Sequence, residues 1–489
     1  MSKASAVIPA KVGIQENGLP DNWVITTLGK VTQPIEKVKP ADEPQKEILY
    51  LDIGGIDKAT NTVVDYKKYL GKDAPSRAQQ AIKKGDIAFA NVRPYLKNIA
   101  LVPNDLDGQV GSTGFCFLRP KEGVNNKYIY YWVLSNNFIN DITKYQKGSS
   151  YPAVTNKQIL DRNIPLAPHE QQKRIVAKIE ELFSHIDAGI EALKKAKQLL
   201  KQYRQSVLKA AVTGELTKEW REANKDKLEP ATQLLERILK ERRQKWEQQQ
   251  LEQFKTKGKM PKDDKWKEKY RDPVGFENGG YDIPDSWVMV RSEQVCGFIT
   301  KGTTPKKDKL SDGNGDVPFI QVYNLTFDTS LNFDIDPTFT DKETHEGFLA
   351  RSKVYPGDVL MNIVGPPLGK VSIVSNLFDE WNINQAMAVY RPISGLNNKL
   401  LAYFLLSKPV VEWMLSKTKT TAGQVNLTLE ISRDAPIPIM PEEEQDEIIR
   451  LIEEKLSASD RMLEELEVQL IKAEKNKQSV LASAYSGKT

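Results

Sequence analysis

The chain has few residues of the kinds that bind metals or form covalent cross-links. Its 489 residues include two cysteines, Cys116 and Cys296, and three histidines, His169, His185 and His345. Two cysteines give no disulfide framework, which is typical of a reducing compartment. The histidines lie too far apart in the sequence for ligand spacing, so a histidine-rich metal site is not expected.

Long apolar runs are also missing. No run approaches the roughly 20 residues that a membrane-spanning helix requires. The first residues contain only a short apolar patch at positions 6–9, which is not typical of a signal peptide. We therefore expect a cytoplasmic protein without membrane contact.

Catalytic motifs are incomplete. The stretch ASAYSGKT (482–489) fits a phosphate-loop pattern, but that pattern requires a strand before it, and here a helix is predicted. The stretch GPPLGK (365–370) lacks the first Asn or Asp and the final aromatic residue of an amino-methyltransferase motif. The sequence thus argues against an enzyme, and a fused methyltransferase or nuclease is the alternative.

What the chain does contain is an internal repeat. Residues 164–175 read IPLAPHEQQKRI, and residues 437–448 read IPIMPEEEQDEI. Further matches follow in the same order: residues 19–31 with 283–295, 83–102 with 354–374, and 205–215 with 478–488. Collinear matches predict one unit of about 200 residues used twice, with an extra segment between the copies.

Each copy has a mixed part followed by a long helix. Short apolar runs separated by Gly, Asp, Asn and Pro predict strands of an α+β domain, with helical stretches between them. The long helices are predicted to begin after Pro168 and after Pro441. Apolar residues then recur at alternating steps of four and three, which is the pattern of a coiled-coil seam. The seam residues are Ile175, Ile179, Leu182, Ile186, Leu193 and Leu200 in the first helix and Ile452, Leu456, Leu463, Leu466 and Leu470 in the second.

A helix with one narrow apolar stripe needs a partner, and the other copy can supply it. About 45 residues form a rod roughly 65 Å long. We expect the two helices to pack antiparallel as a coiled coil that separates two homologous mixed domains, related by a pseudo-twofold axis. The alternative is that each helix packs on its own domain.

These patterns predict five segments. They are a first mixed domain at 1–165, a long helix at 166–216, a charged helical linker at 217–281, a second mixed domain at 282–438 and a second long helix at 439–489. Between positions 218 and 272 the linker has 17 Lys and Arg against 12 Asp and Glu, an excess equal to the net charge of the whole chain, +5. We expect a solvated connecting arm with a flexible basic loop, and contact with phosphates is the alternative.

Polar and basic residues occupy loops of both mixed domains. Arg, Lys, Asn and Gln pair with base edges, and Ser, Thr and Lys bind phosphates. The loop residues differ between copies although the surrounding frames match, so the two domains should read different half-sites. The candidate DNA contacts are Arg93, Lys97, Asn98, Lys147, Ser149, Ser150 and Tyr151 in the first copy and Lys301, Thr303, Thr304, Gln321, Asn324, Asn362, Lys370, Gln424 and Asn426 in the second.

The duplicated plan, the IPLAPHEQQKRI helix entry, the SVLKAAVTGELT helix end and the KGTTP and QVYNL stretches resemble the specificity subunit of type I restriction–modification systems. The resemblance implies that each mixed domain is a target-recognition domain for one half of an asymmetric, gapped double-stranded DNA sequence. The helices would fix the length of the gap.

The resemblance also implies which partners the chain has. The subunit would have no catalytic activity and no cofactor of its own. It would recruit two methyltransferase subunits, which use S-adenosylmethionine, and through them two restriction subunits, which use ATP and Mg²⁺. The alternative from another class is a coiled-coil scaffold that binds proteins only.

Overall fold

The computed structural model describes residues 18–276, 282–418 and 425–487. The chain forms two compact units: the first is Met1–Lys195 with Glu465–Thr489, and the second is Ala196–Glu464. Both units mix helices and strands. The predicted α+β class is therefore confirmed, while the predicted bounds of the five segments stay predictions.

The first unit begins with short strands and ends in a long helix. Its strands are β1 (Val24–Thr27), β2 (Thr32–Gln33), β3 (Glu47–Leu51), β4 (Ile56–Asp57), β5 (Thr62–Val63), β6 (Lys67–Leu70), β7 (Ala78–Ala81), β8 (Ile87–Ala90), β9 (Ile99–Leu101), β10 (Val110–Ser112), β11 (Phe115–Pro120) and β12 (Asn163–Leu166). Its helices are α1 (Leu28–Val31), α2 (Asn126–Leu134), α3 (Asn136–Thr143), α4 (Asn156–Leu160) and the first part of α5 (His169–Val212).

The second unit begins with the rest of α5. Its further helices are α6 (Lys218–Asn224), α7 (Ala231–Thr256), α8 (Ser292–Val295), α9 (Lys342–Glu346), α10 (Asn398–Leu406), α11 (Lys408–Ser416), α12 (Leu429–Asp434) and the first part of α13 (Glu442–Ala484). Its strands are β13 (Val288–Arg291), β14 (Cys296–Lys301), β15 (Leu310–Asp312), β16 (Val317–Ile320), β17 (Thr338–Thr340), β18 (Lys353–Val354), β19 (Val359–Asn362), β20 (Val364–Gly365), β21 (Val371–Ile373), β22 (Trp381–Ile383), β23 (Met387–Pro392), β24 (Val425–Asn426) and β25 (Pro436–Ile439).

The two units share the topology of their main sheets, with one extra strand, β15, in the second unit. The order β2-β11-β8-β9 in the first corresponds to β14-β23-β19-β21 in the second. A further sheet contains a parallel pair in each unit, β3 with β10 and β16 with β22. The strand after the Pro-Asp-x-Trp turn pairs antiparallel with the strand before the long helix, β1 with β12 and β13 with β25. The sequence repeat therefore corresponds to a repeated fold.

An ion pair with a buried carboxylate explains why Gly-Asp and Arg-Pro recur in both copies. Arg119 forms two hydrogen bonds with the carboxylate of Asp86, at 2.7 and 2.9 Å, and Arg391 forms two with Asp358, both at 2.7 Å. Asp86 and Asp358 are buried. A two-pronged arginine–carboxylate pair fixes the orientation of both groups, so it holds the same strand pair in each unit.

A buried glutamine explains the repeated helix entry. The side chain of Gln172 accepts a hydrogen bond from the backbone N–H of Asn125 at 2.8 Å, and that of Gln445 accepts one from Asn397 at 3.0 Å. Each amide also donates to a backbone carbonyl just before its own helix. Buried polar groups must find partners. A side chain that lacked either the acceptor or the donor of this glutamine would therefore leave a buried backbone group without its hydrogen bond.

In the first unit the start of α5 runs antiparallel to the end of α13. Asp187 forms an ion pair with Lys477. Nearer the start of α5, Ile179 lies in the same hydrophobic core as Leu481. As residue numbers rise on one helix they fall on the other, which is the predicted direction of packing.

The second unit shows the same arrangement. Arg204 on α5 forms an ion pair with Asp460 on α13 at 2.6 Å. Beyond the end of α5, the hydroxyl of Thr217 donates to Glu444, near the start of α13, at 2.7 Å. The two helices are therefore antiparallel in this unit as well.

Each mixed domain also receives the end of the helix from the other copy. The side chain of Gln478, on α13, accepts a hydrogen bond from the backbone N–H of Asn136 at 2.8 Å in the first unit. Gln205, on α5, accepts one from Lys408 at 3.0 Å in the second. The repeated QSVL stretch thus caps a domain helix that belongs to the opposite repeat.

The predicted seam residues lie on the less exposed face of both helices. Ile175, Ile179, Ile452 and Leu456 are buried. The others are partly buried: Leu182, Ile186, Leu193, Leu200, Leu463, Leu466 and Leu470. The alternative, that each helix packs on its own domain, also holds for the first turns, since Ile175 and Ile179 belong to the core of the first domain.

The seam differs from the expected pattern at two places in α5. Gly189 and Tyr203 continue the steps of four and three, but both are exposed, and Ile190 and Arg204 face inward instead. A straight helix has 3.6 residues per turn, so a strict 3.5-residue pattern drifts around it. The inward position therefore moves one residue along the chain at these two places.

The linker is not a solvated arm throughout. The first turns of α7 are anchored because Ala231, Leu234 and Ile238 are buried in the core of the second unit. The predicted flexible loop follows α7 and then returns along it through a 3-10 turn at Lys265–Lys269, where Trp266 is buried. The aromatic residues of the linker pack against one another, which gives part of the expected solvated arm a defined fold.

No helix in the described parts of the chain is long and apolar enough to cross a membrane.

Both cysteines are buried, and we expect neither to react in the folded protein. Burial raises the pKa of the Cys116 thiol to about 12 and that of Cys296 above its usual range. Because the thiolate is the reactive form, iodoacetamide at pH 8 should modify both residues only after unfolding in guanidinium. Mass spectrometry of digested samples measures this, and modification of either residue of the native protein within minutes would contradict it.

Candidate nucleic-acid interface

In the first unit, two loops meet at Arg93. Its guanidinium donates to the carbonyl of Ser150 at 2.9 Å and lies 4.9 Å from the ring centre of Tyr151. The backbone N–H of Arg93 donates to the carbonyl of Pro152 at 2.7 Å. Tyr151 is 72 % exposed. The structure therefore brings together three predicted contact residues, Arg93, Ser150 and Tyr151, as one cluster.

The Arg93 loop is strained. Arg93 and Lys97 have φ angles of +50° and +53°. Non-glycine residues in this left-handed region cost on the order of 1–3 kcal/mol each and concentrate at ligand-binding sites. Among the described residues, the buried atoms Asn91 Oδ1, Arg93 Nε and Gln146 Oε1 have no hydrogen-bond partner. Strain and unpaired polar atoms therefore occur together where the Arg93 loop meets its neighbour, and the predicted DNA contact of Arg93 stays a prediction.

Lys97 faces the interior of the first unit. Its ammonium donates to the carbonyl of Leu134 at 2.9 Å and to Asn136 Oδ1 at 2.8 Å. Burial lowers the pKa of Lys97. In this position Lys97 holds the loop against the corner between α2 and α3, and its predicted DNA contact stays a prediction. The neighbouring Asn98 is partly buried.

The loop that carries Ser150 is closed at its base. Lys147 and Ala153 exchange two backbone hydrogen bonds, both 2.9 Å long. Between them, Gly148 has a φ of +101°, a backbone conformation that favours glycine. Lys147 and Ser149 are exposed. This base presents the predicted residues of the loop to solvent in a defined frame.

In the second unit, three loops meet around the end of β22. The amide of Asn384 donates to Gln321 Oε1 at 2.8 Å, and the backbone N–H of Gln385 donates to Thr304 Oγ1 at 3.1 Å. The backbone N–H of Thr303 donates to the carbonyl of Ile383 at 3.1 Å. Gln321, Thr303 and Thr304 are therefore brought together.

Two of the predicted asparagines serve the shape of these loops. The amide of Asn324 donates to two backbone carbonyls, and its Oδ1 accepts from the backbone N–H of Gln321. Asn362 donates to the carbonyl of Pro367 at 2.7 Å and accepts from the backbone N–H of Lys370 at 2.8 Å. Both asparagines are fully buried. Their hydrogen-bonding groups point into the protein, so base contact by them would need the loops to rearrange.

The remaining predicted residues lie at different places. Lys301 is exposed at the end of β14, and Asn426 is exposed on β24, which pairs with β20. Lys370 is partly buried, with its ammonium 3.4 Å from the carbonyl of Val322. Gln424 lies outside the described residues. Contact between DNA and any of these residues stays a prediction.

Asn384, Gln385 and Arg351 contact the predicted residues of this cluster but were not themselves predicted. Gln385 and Arg351 are exposed, and Arg351 donates from Nε to Thr303 Oγ1 at 3.1 Å. The stretch NINQA at 382–386 lies between two apolar strands, so its polar residues were a readable signal of a loop. Arg351 gives no such signal, because only the fold places it beside Thr303.

One cluster has the residue types of a metal site. His345, Glu346 and Glu380 place ligand atoms within 4.8 Å of one another. However, the ammonium of Lys353 lies 2.9 Å from Glu346 and 3.3 Å from Glu380, and His345 Nε2 lies 2.8 Å from Glu380. Hydrogen bonds from His345 and Lys353 lower the pKa of Glu380. The cluster is thus held by ion pairs of Lys353 and a hydrogen bond of His345.

Comparison with known proteins places these loops in context. The family described as "Type I restriction modification DNA specificity domain" matches residues 20–200 and 284–472, one range in each copy. The EcoBI specificity subunit of Escherichia coli is 27 % identical over 385 residues, which cover 76 % of this chain and 68 % of that protein. The HindI specificity subunit of Haemophilus influenzae is 24 % identical over 462 residues, which cover 90 % of this chain and 95 % of that protein.

A solved structure is also similar. It was reported under complex assembly and conformational transition of the type I restriction–modification system. It has a TM-score of 0.68 and 26 % identity, and the match covers 96 % of this chain and 99 % of the other. The chain therefore belongs to the family of type I restriction–modification DNA specificity domains and is, as the sequence predicts, a specificity subunit rather than an enzyme.

Proposed function

We propose that this subunit recognises a bipartite, gapped and asymmetric double-stranded DNA target. The observation that carries the proposal is the repeated frame with different loops. The ion pairs Asp86–Arg119 and Asp358–Arg391 hold equivalent strands in the two units. The loop clusters beside these strands differ. Two readers with one frame and different loops fit two different half-sites.

We further propose that the two long helices form one antiparallel spacer that fixes the gap. Within the first unit Asp187 pairs with Lys477, and within the second Arg204 pairs with Asp460. Arg204 lies as far beyond Asp187 in the sequence as Asp460 lies before Lys477. Both pairings thus fit a single antiparallel register, and the shared topology of the units fits the predicted pseudo-twofold plan.

Two linked readers gain affinity through effective concentration. Once one half-site is bound, binding of the second becomes intramolecular. Phosphate contacts supply much of the affinity and make it fall steeply with salt. Base contacts, each about 1–3 kcal/mol, supply the discrimination.

The proposed partners are two methyltransferase subunits, which use S-adenosylmethionine, and two restriction subunits, which use ATP and Mg²⁺. The chain itself carries no cofactor in this proposal, and the complex acts in the cytoplasm. The related solved structure, whose report concerns assembly of a type I complex, supports partners of this kind.

Selection from a randomised pool of DNA duplexes tests the proposed target. The full chain, alone and together with its methyltransferase subunit, should enrich duplexes with two specified blocks separated by an unspecified gap of constant length. Enrichment of one continuous block would contradict a bipartite target. A scaffold that binds proteins only would enrich nothing.

A further inference from the structure

The segment between the two repeats has no counterpart elsewhere in the chain. We call residues 231–272 the strap. The family matches residues 20–200 and 284–472, so the strap lies outside both ranges. Neither family range includes the strap, so the family match assigns it no function.

The strap is fixed at its base. Leu234 and Ile238 of α7 are buried in the core of the second unit. One helical turn later, Arg242 donates from Nε to the carbonyl of Glu293 at 3.2 Å and from Nη1 to the hydroxyl of Tyr270 at 3.0 Å. Arg242 thus ties together α7, the returning chain and the recognition domain of the second unit.

The outer half of the strap is held by its own aromatic residues. Trp246 on α7 stacks on Trp266 of the returning chain, with ring centres 6.0 Å apart and planes inclined by 24°. Tyr270 lies 5.3 Å from Trp246, and Phe254 lies 5.9 Å from Trp266. Trp266 is only 8 % exposed. Aromatic packing of this kind gives the outer half a defined shape.

The turn at the outer end has a defined geometry as well. Gly258, two residues after the end of α7, has a φ of +64°. The backbone N–H of Lys259 donates to the carbonyl of Phe254 at 3.0 Å. A left-handed glycine with such a returning hydrogen bond is a standard helix end. The side chains around this turn are therefore displayed on a folded support.

Five lysines surround this turn, and all are exposed: Lys255, Lys257, Lys259, Lys262 and Lys265. None of the five forms an ion pair within the part of the chain that the structure describes. Elsewhere on the strap lysines do pair, as Lys245 does with Glu241 at 2.7 Å. Of the two acids at the turn, Asp264 pairs with Lys267, and Asp263 accepts from the backbone N–H of Lys265.

Five lysines without an ion-pair partner on a folded turn repel one another and attract an anionic partner. The tip offers little for a protein partner to pack against, because Met260 is its exposed large apolar side chain, whereas protein interfaces depend on buried aromatic and aliphatic anchors. Phosphates require only accessible positive charge.

We infer that the five lysines of the strap tip bind the phosphate backbone of double-stranded DNA without regard to sequence, as a third contact beside the two recognition domains. This inference rests on the proposed function, because it assumes that the subunit binds DNA. It adds a contact that strengthens binding at every sequence and leaves the choice of target to the recognition loops.

The test replaces the five lysines together with glutamine in the full chain. Each phosphate contact contributes about 0.9 to the slope of log affinity against log salt concentration. We expect the slope for a duplex of random sequence to become about 3 to 4.5 units shallower. The sequence selected from a randomised pool should not change. Fluorescence anisotropy between 50 and 300 mM salt measures the slope.

A charge-matched control replaces five other lysines with glutamine. They are exposed on α5: Lys173, Lys178, Lys194, Lys195 and Lys201. This variant loses the same charge and should keep most of the slope. An equal loss of slope in both variants, or an unchanged slope in the strap variant, would overturn the inference. So would weaker binding to the methyltransferase subunit with an unchanged slope. If the wild-type chain selects no sequence, the proposed function fails. The salt slopes of the wild-type and strap variants still show whether the strap lysines contact phosphates.

Discussion

Replacing Arg221 with alanine is expected to lower the free energy of unfolding of the second unit by about 3–5 kcal/mol, because the change leaves a buried charge without its partner. The carboxylate of Glu444 is completely buried, and Arg221 Nη1 lies 2.6 Å from it. Thr217 and Trp287 also donate to this carboxylate. These two neutral donors would remain, but they cannot balance the charge.

Rescue by a second substitution separates the charge effect from lost packing. At the equivalent place in the first unit, Trp23 donates to Gln171 Oε1 at 2.9 Å. Gln171 there takes the position that Glu444, the acceptor of Trp287, has in the second unit. A neutral amide is therefore compatible with this site. Adding Glu444→Gln to Arg221→Ala should recover most of the lost stability. Failure of this rescue would show that the loss comes from packing of the arginine.

Hydrogen exchange followed by mass spectrometry reports the stability of each unit separately. Peptides of the second unit should lose protection, while those of the first serve as an internal reference. Arg237→Ala is the matched control on α7. Arg237 pairs with Glu442 at 2.8 Å and with Glu229 at 2.6 Å, but its own side chain is more than half exposed. Its loss should therefore cost about 1 kcal/mol or less.

Replacing Arg93 with alanine is expected to weaken binding to one half-site about 5- to 150-fold, which corresponds to about 1–3 kcal/mol for a good base contact. The guanidinium is already held by the carbonyl of Ser150 and the ring of Tyr151, so the side chain loses little conformational entropy on binding. The preference of the second unit for its own half-site should not change. Competition with duplexes altered in one half at a time measures both preferences.

Two further variants show what the arginine contributes. Arg93→Lys keeps the charge but loses the planar fork, so a base contact should be lost and a phosphate contact kept. Arg162→Ala is the control within the same unit, because Arg162 lies 3.9 Å from the ring centre of Tyr145 and pairs with Asp141. Arg162→Ala should leave both preferences intact, and equal loss at both half-sites in Arg93→Ala would contradict the prediction.

The sequence predicted the frame of the molecule well because its signals repeat. The seam residues recur at steps of three, four or seven from Ile175 to Leu200 and from Ile452 to Leu470, and a burial pattern of this length tolerates small errors of register. One such error lies at Gly189, where the inward-facing residue is instead its neighbour Ile190. The repeated Gln172 and Gln445 were visible in the sequence, but their contacts with Asn125 and Asn397 required the fold.

The loops were harder to predict because a polar side chain has two uses. Asn324 and Asn362 satisfy backbone groups inside their loops, as asparagine often does in turns, whereas Gln385 is exposed. Residue type alone does not separate these cases. The fold of the linker was hard to predict for a different reason: its charge suggested solvation, and nothing in the sequence showed that Trp246 and Trp266, twenty residues apart, stack on each other.

The exchange of helix ends has a consequence for biosynthesis. The aromatic surface of Tyr128 and Trp132 is covered by Tyr485, which lies on the final turn of the polypeptide described here. Residues Ala196–Glu464 of the other unit must leave the ribosome before that cover exists. At about 5–20 residues per second, the aromatic surface of the first recognition domain stays exposed for roughly 15 to 50 seconds before Tyr485 is synthesised and can cover it.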